Sequence, residues 1–219
     1  AWTDHFDQKK LTIYGIGELD LSDSTLLTAG FSHLTQNVDS PINPVSLKYD
    51  DGAVVDFDAK DSDTPSWAYY DHQLANAFLA IEHQLSSDWS AKAELRYTRY
   101  KSDSLYFSWG ASIPRPGVGT IFYGADRYKP EIEQKSLDTY LIGHFSMLGR
   151  EHDLIVGSTI SKSDTINRDF QATYSGSGYY TTDYLDRANT LPKPDVINQT
   201  SESDISNSQN SFYISSRFN

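Results

Sequence analysis

The chain has 219 residues, with 30 acidic against 18 basic side chains, a net charge of −12 and no cysteine. This balance disfavours nucleic acid as a partner, because phosphates would be repelled, and the lack of cysteine excludes disulfides and thiolate metal sites. Hydrophobic residues make up 38%, below the roughly 45–50% of a typical globular domain. Since no apolar run approaches the roughly 18 residues of a membrane helix, any crossing of a membrane would need strands.

The first predicted hairpin begins with alternation from Leu11 to Leu21. Odd positions carry Leu, Ile or Gly, and most even positions are polar. Successive side chains of a strand point to opposite faces, so this pattern predicts one apolar and one wet face. The chain turns at Ser22-Asp23-Ser24 and returns through Leu27 and Phe31.

The second predicted hairpin contains the cleanest alternation. It enters through Ala75 and Ile81, turns at Ser86-Ser87-Asp88 and returns along a strand of about twenty residues that begins at Trp89 and could reach Trp109. A transmembrane barrel wall and a half-exposed strand of a soluble β-sandwich both satisfy this pattern. The apolar side carries Trp89, Ala91, Ala93, Leu95 and Tyr97, and the other side Lys92, Glu94, Arg96 and Thr98.

A third hairpin and a seventh strand follow. The hairpin enters through Leu137 and Phe145, turns at Leu148-Gly149-Arg150-Glu151 and leaves through Leu154 to Ile160. Residues Ser211 to Phe218 are predicted to form the seventh strand. The Ser/Asn-rich run from Asn198 to Ser211 is predicted to be a mobile loop tip.

The connections are unequal, and this favours a barrel. Turns of three or four residues alternate with long excursions over about 36–68, 110–130 and 171–208, and all eight prolines lie in or beside those excursions. Short turns at one rim and long loops at the other are typical of outer-membrane barrels. Seven strands cannot close an even-numbered barrel, so the chain is interpreted as an interior piece of a larger one.

Several strings resemble TonB-dependent ferric-siderophore receptors of the hydroxamate and pyoverdine branch. They are Asp-His-Phe (4–6) leading into Lys-Leu-Thr-Ile-Tyr (10–14), Glu-Leu-Asp-Leu (18–21), Trp-Ala-Tyr-Tyr-Asp (67–71) and Ser-Phe-Tyr-Ile-Ser-Ser-Arg-Phe (211–218). The most specific is the Leu-Gly-Arg-Glu-His turn at 148–152, followed by an apolar strand that ends in Gly157. The resemblance covers nearly all of the chain and is weakest in the loops.

The resemblance implies an architecture and a function. The family's barrel has 22 antiparallel strands around an N-terminal plug, with short periplasmic turns and long extracellular loops. Residues 1–219 would be a partial barrel domain of about seven transmembrane strands, without the plug, the TonB-engaging segment or the remaining strands. The implied protein is a receptor and transporter in the bacterial outer membrane, in contact with its lipid, which imports a ferric siderophore with energy from the TonB complex. The siderophore is its cargo, and no resident cofactor, metal site or catalytic residue is expected.

Aromatic residues at the outer ends of the long strands are the candidate ligand contacts. Stacking and phenol hydrogen bonds would suit a bulky, partly apolar iron chelate, and one arginine between two prolines could attract an anionic chelate. A girdle of aromatics at the membrane interface is the alternative interpretation. The candidates are Trp67, Tyr69, Tyr70, Tyr106, Trp109, Tyr123 and Arg115.

Two other classes of protein remain open from the residues alone. A small outer-membrane barrel enzyme would need a catalytic constellation, and no nucleophile elbow or comparable motif is present. A secreted β-sandwich could bind carbohydrate through its surface aromatics.

Overall fold

The computed structural model describes residues 3–41, 47–56, 58, 60–62, 64–109, 113–115, 121–173, 179–181 and 191–218. None of these residues belongs to a helix long and apolar enough to cross a membrane. The described strands form a single sheet in which every pairing is antiparallel. They are β1 (Asp7–Ser22), β2 (Thr25–Asp39), β3 (Tyr69–Gln84), β4 (Trp89–Trp109), β5 (Ile121–Tyr128), β6 (Glu131–Met147), β7 (Arg150–Thr173), β8 (Tyr179–Thr181) and β9 (Val196–Arg217).

The three predicted hairpins are confirmed as β1–β2, β3–β4 and β6–β7. The hairpins continue into one another through the pairs β2–β3 and β4–β6. β5 pairs with β4 and β7, and β9 adds to β7. The all-β antiparallel prediction and the long strand from Trp89 are therefore correct. Alternation predicted these strands because each presents one apolar and one polar side over the half nearer the short turns.

β5 and β6 behave as one long strand interrupted at Pro130. Both pair with β4 in the same continuous register, Ser104 with Tyr128 and Lys101 with Glu131. At the gap the Ser102 N–H donates to the Pro130 carbonyl at 3.0 Å. Proline has no N–H, so the return bond of that pair cannot form, and this splits the strand.

The prediction of a mobile loop tip over Asn198–Ser211 is wrong. These residues belong to β9 and pair continuously with β7, apart from one register shift between Asp169 and Phe170. The part of β9 nearer the long loops carries Ser, Asn and Asp on both faces. Where both faces of a strand meet water, backbone hydrogen bonds hold the strand in the sheet and no apolar face is needed. The sequence of such a strand does not alternate between apolar and polar residues, so alternation cannot predict it.

The turn between β6 and β7 is tighter than predicted. It consists of Leu148 and Gly149 alone, whereas Arg150 and Glu151 already pair in β7. Leu148 has φ 58° and Gly149 φ 76°. Two positive φ values match the type I′ turn, whose usual Asn-Gly or Asp-Gly signature the leucine conceals.

The register sorts the side chains into two faces of the sheet. We call apolar face the side that carries Leu19, Leu27, Ile81, Ala93 and Phe212, which the pairing places in one row across the strands. We call polar face the opposite side, which carries Glu18, Glu82, Lys92, Glu94 and Arg96. The predicted separation of residues along β4 is therefore present in the sheet.

The apolar residues form a band that runs obliquely across the strands. Its centre lies near residue 16 in β1 and near residue 215 in β9, and residue 16 is in register with residue 209 across six strand-to-strand steps. A shift of about one residue per strand, with about 3.3 Å per residue and about 4.8 Å between strands, corresponds to a tilt of roughly 35°. The band from Leu11 to Leu21 is then roughly 25 Å tall, as a membrane barrel requires.

The band is not covered by protein within the described residues. Leu11 is 60% exposed, Leu19 59%, Leu95 57% and Ile160 54%. A soluble sandwich would bury such residues under a second sheet. The buried cluster of Leu105 and Ala125 instead lies beyond the band, at the end of the long loops.

Among the described residues, four glycines of the sheet lie directly opposite an aromatic residue. A Cβ on Gly143 would lie 2.5 Å from Cε3 of Trp89 and 2.6 Å from the Asp88 carbonyl oxygen. The aromatic ring covers the glycine backbone and supplies the packing that glycine lacks. The pairs are Gly143 with Trp89, Gly157 with Tyr213, Gly30 with Phe78 and Gly15 with Phe31.

Candidate ligand-facing surface

Aromatic residues gather on the polar face, where β3 and β4 rise beyond the apolar band. The hydroxyl groups of Tyr70 and Tyr100 are 3.1 Å apart. The ring of His72 lies 5.3 Å from that of Tyr70 and 6.2 Å from that of Tyr100. These three residues begin what we call the tyrosine stripe: Tyr70, His72, Tyr100, Tyr106 and Tyr128.

The stripe continues towards the long loops through Tyr106 and Tyr128. Their rings are stacked, with centroids 5.1 Å apart and planes inclined by 7°. Burial and the hydrogen bond with Tyr128 raise the pKa of the Tyr106 phenol above its ordinary value. The phenol therefore stays neutral at physiological pH and keeps its hydroxyl proton for donation.

Two of the predicted contact residues have their side chains engaged elsewhere. Tyr69 lies on the apolar face, and Tyr69 and Trp67 pack against the Leu105–Ala125 cluster. Trp67 Nε1 donates to the Leu191 carbonyl at 2.9 Å, and the Tyr69 hydroxyl donates to Asp103 Oδ1 at 3.0 Å. Burial, together with the negative charge of Asp103, raises the pKa of Tyr69 to about 12.

Asp103 is the centre of an ion-pair network beside Tyr69. Arg127 donates to it through two nitrogens, Nε at 2.7 Å and Nη2 at 2.6 Å, and Lys129 Nζ lies 3.3 Å away. Burial opposes ionisation of the carboxyl, but these cations and the Tyr69 hydroxyl lower its pKa below the ordinary value. The network ties β4 to β5 above the apolar band.

Arg115 belongs to a separate loop contact. Its Nε donates to Asp51 Oδ2 at 2.5 Å, and both side chains are about half exposed. The hydrogen bond from the Ala53 N–H lowers the pKa of the Asp51 carboxyl, and Arg115 lowers it further, against the opposing effect of burial. The side chains of Trp109 and Tyr123 lie outside the described residues, so their predicted role stays a prediction.

The structure thus groups the predicted residues differently from the sequence analysis. Tyr70 and Tyr106 share the polar face, whereas Trp67 and Tyr69 pack together on the other side. Tyr100 and His72 were missed as members of the same group. Parity could have found them: both are an even number of residues from neighbours on the polar face, Tyr100 from Thr98 and His72 from Tyr70.

No family model matches the chain. The chain is 33% identical over 222 residues to the ferric-pyoverdine BN7/BN8 receptor of Pseudomonas putida, a match that covers 100% of this chain and 27% of the receptor. The crystal structure of the ferripyoverdine receptor of the outer membrane of Pseudomonas aeruginosa, bound to ferripyoverdine, aligns with a TM-score of 0.91. Sequence identity there is 25%, with 100% of this chain and 29% of the other covered. The ferric-catecholate import receptor Fiu of Escherichia coli K12 has a TM-score of 0.69 at 14% identity, with 98% of this chain and 45% of that chain covered, and shows the fold alone.

The strands match part of the barrel of TonB-dependent outer-membrane receptors. Within that class, the chain matches a barrel segment of the ferripyoverdine receptor family along its whole length. It spans about 27% of the length of the curated relatives it matches. The predicted family and fold are confirmed, and the family is one of receptors rather than enzymes.

Proposed function

We propose that the chain forms consecutive wall strands of an outer-membrane receptor that binds and imports a ferripyoverdine. The carrying observation is the match along the whole chain to ferric-pyoverdine receptors, at 33% identity to one of them. In this proposal the apolar face meets lipid, the polar face lines the lumen, and the long loops are extracellular. Residues 1–219 are one part of the barrel domain, and a plug and further strands complete the receptor.

The open edges of the sheet support this placement in a larger barrel. Within the described residues, β1 pairs only with β2, and β9 pairs only with β7. Both edge strands are exposed along nearly their whole length. Unpaired edges invite further strands, and a closed barrel removes them.

The tyrosine stripe is proposed to contribute to the surface that receives the iron chelate. It lies on the lumenal face beyond the apolar band, and its phenols offer flat apolar rings and hydroxyl donors together. Such groups suit a chelate with both apolar and polar parts. The sequence-based candidates remain part of the proposal, with Trp109 at the end of β4, Tyr123 in β5 and Arg115 in a loop. The packing of Trp67 and Tyr69 favours a structural role.

Paired substitutions on the two faces of β4 test this role in the full receptor. Tyr106→Ala and Tyr100→Ala are expected to weaken ferripyoverdine binding by roughly 3- to 10-fold each, the range of one lost aromatic contact. Tyr97→Ala on the apolar face of the same strand is the matched control and should leave the affinity unchanged. Fluorescence titration with ferripyoverdine gives the affinities. Wild-type affinity in both polar-face variants would overturn the proposed contact.

The import step has its own test. Uptake of radioactive iron as ferripyoverdine should be lost in cells that lack TonB, whereas binding at the cell surface should persist. Equal uptake with and without TonB would contradict energised transport by this receptor.

A further inference from the structure

Two lysines lie side by side at the first position beyond the apolar band. The register places Lys135 of β6 directly opposite Lys162 of β7 on the apolar face. Tyr97 flanks the pair on β4, and Ser208 flanks it on β9. The row Tyr97, Lys135, Lys162 and Ser208 thus presents four polar groups on four adjacent strands, facing away from the lumen.

Like charges directly opposite each other destabilise a sheet, so this pair needs negative charge nearby. Lys162 Nζ lies 3.2 Å from Asp164 Oδ1. Among the described residues, no carboxylate lies within salt-bridge distance of Lys135. The nearby Glu133 accepts a hydrogen bond from the Tyr97 hydroxyl at 3.1 Å and forms a salt bridge with Arg99. The two ammonium groups therefore share one close carboxylate.

Five cations farther from the band each have a carboxylate within salt-bridge distance. Arg99 and Lys101 share Glu131, Arg127 and Lys129 share Asp103, and Arg168 pairs with Glu202. Several of these contacts are charge-assisted hydrogen bonds between partly buried groups. Lys135 differs from these cations, because among the described residues it has no carboxylate within that distance, and the row next to the apolar band therefore keeps one ammonium group without a close anionic partner.

The depth of the pair matches a lipid headgroup. Lys135 and Lys162 lie two residues beyond Leu137 and Ile160, the residues of the band that are nearest the long loops in β6 and β7. Two residues along a strand tilted by roughly 35° raise a side chain by about 5 Å. Lysine stems extend along apolar surface and carry the ammonium groups further outward, to the level where headgroup phosphates lie.

We infer that Lys135 and Lys162 bind the phosphate of a lipid headgroup in the leaflet on the long-loop side. A phosphomonoester is the favoured chemistry, because its charge of about −1.5 to −2 answers two ammonium groups at once. The Ser208 hydroxyl is placed to donate to the same phosphate. This inference rests on the membrane placement proposed above.

The test uses the full receptor that carries this sequence, purified in neutral detergent. The probe is lipid A with two phosphomonoester groups, and bound lipid per receptor is counted by native mass spectrometry. Lys135→Gln with Lys162→Gln is expected to weaken lipid binding about 10- to 30-fold. Lys135→Arg with Lys162→Arg should retain it, as should Lys101→Gln with Lys129→Gln, whose lysines already have carboxylate partners.

Three results would overturn the inference. They are equal lipid A binding by the wild type and the glutamine double variant, dephosphorylated lipid A binding as tightly as lipid A, and inorganic phosphate displacing lipid A as effectively as free lipid A does. Ferripyoverdine titration of the same preparations controls for folding and for the proposed function. If the glutamine double variant binds both ferripyoverdine and lipid A like the wild type, the lipid site is rejected and the proposed function is not affected. Loss of ferripyoverdine binding by the wild type would instead reject the receptor assignment.

Discussion

At the scale of single residues, Asp103 illustrates how this barrel wall is stabilised above its apolar band. Its carboxylate accepts two hydrogen bonds from Arg127 and one from Tyr69 and lies close to Lys129. Removing the charge would leave these partly buried cations without their main partner, which costs more than breaking an exposed pair.

Asp103→Asn is expected to destabilise the receptor by about 1–2 kcal/mol at neutral pH. The pKa of this carboxyl is lowered in the folded protein, so its contribution is complete above the ordinary value of 3.8 and is lost as the pH falls through the folded value. The difference between wild type and variant should stay constant from about pH 7 to pH 5 and vanish in stronger acid. Urea unfolding across this pH range measures it. Glu202→Gln, which removes a more exposed partner of Arg168, should cost less than about 1 kcal/mol.

Leu148 is a second informative residue. It is 93% exposed and has φ 58°, a conformation that asparagine adopts more readily than leucine. Leu148→Asn is expected to raise the free energy of unfolding by about 0.5–1 kcal/mol. A lower stability in urea would show that the leucine makes a favourable contact at this rim.

At the scale of strands, the glycine–aromatic pairs determine how closely neighbouring side chains pack. Gly143 leaves room for the Trp89 ring and the Asp88 carbonyl, whereas nothing lies within 4 Å of a Cβ built on Gly17. Both glycines lie on the apolar face within strands, so they form a matched pair.

Gly143→Ala is expected to destabilise the barrel by about 1–3 kcal/mol, because the indole or the turn backbone must move. Gly17→Ala should be neutral or slightly stabilising, since a methyl group replaces a flexible backbone position in open space. Thermal or urea unfolding in the same detergent measures the stability of each variant relative to the wild type. Equal effects at both positions would contradict the packing argument.

The sequence predicted a strand well where one face is apolar and the other is polar, and poorly where both faces are polar. Through the band, apolar and polar positions alternate, and the strands around Leu19, Ile81 and Ala93 could be predicted to within a few residues. Beyond it, both faces of β9 are wet, and Asn198–Ser211 looked like a loop. Site residues were chosen by aromatic type, whereas parity along β3 and β4 separates Tyr70 and Tyr106 from Tyr69. Long-range contacts such as that of Trp67 with Leu191 have no local sequence signal.

At the scale of the whole molecule, one sheet serves two environments. Its apolar face carries an uncovered band about as tall as a membrane's hydrocarbon core. Its polar face carries the Glu94–Arg96 ion pair level with the band and the tyrosine stripe near the long loops. The same alternation along each strand therefore supplies both the apolar band and the polar face, which the proposed function assigns to lipid and to the lumen.

Binding of ferripyoverdine by the full receptor that carries this sequence tests the central proposal most directly. Purified receptor would be titrated with a panel of ferripyoverdines of different peptide chains, with the iron-free forms and a ferric catecholate as controls. The account predicts saturable binding of at least one ferripyoverdine, which Tyr106→Ala weakens and Tyr97→Ala does not. A correctly folded receptor that binds no ferripyoverdine, or that binds the catecholate instead, would contradict it.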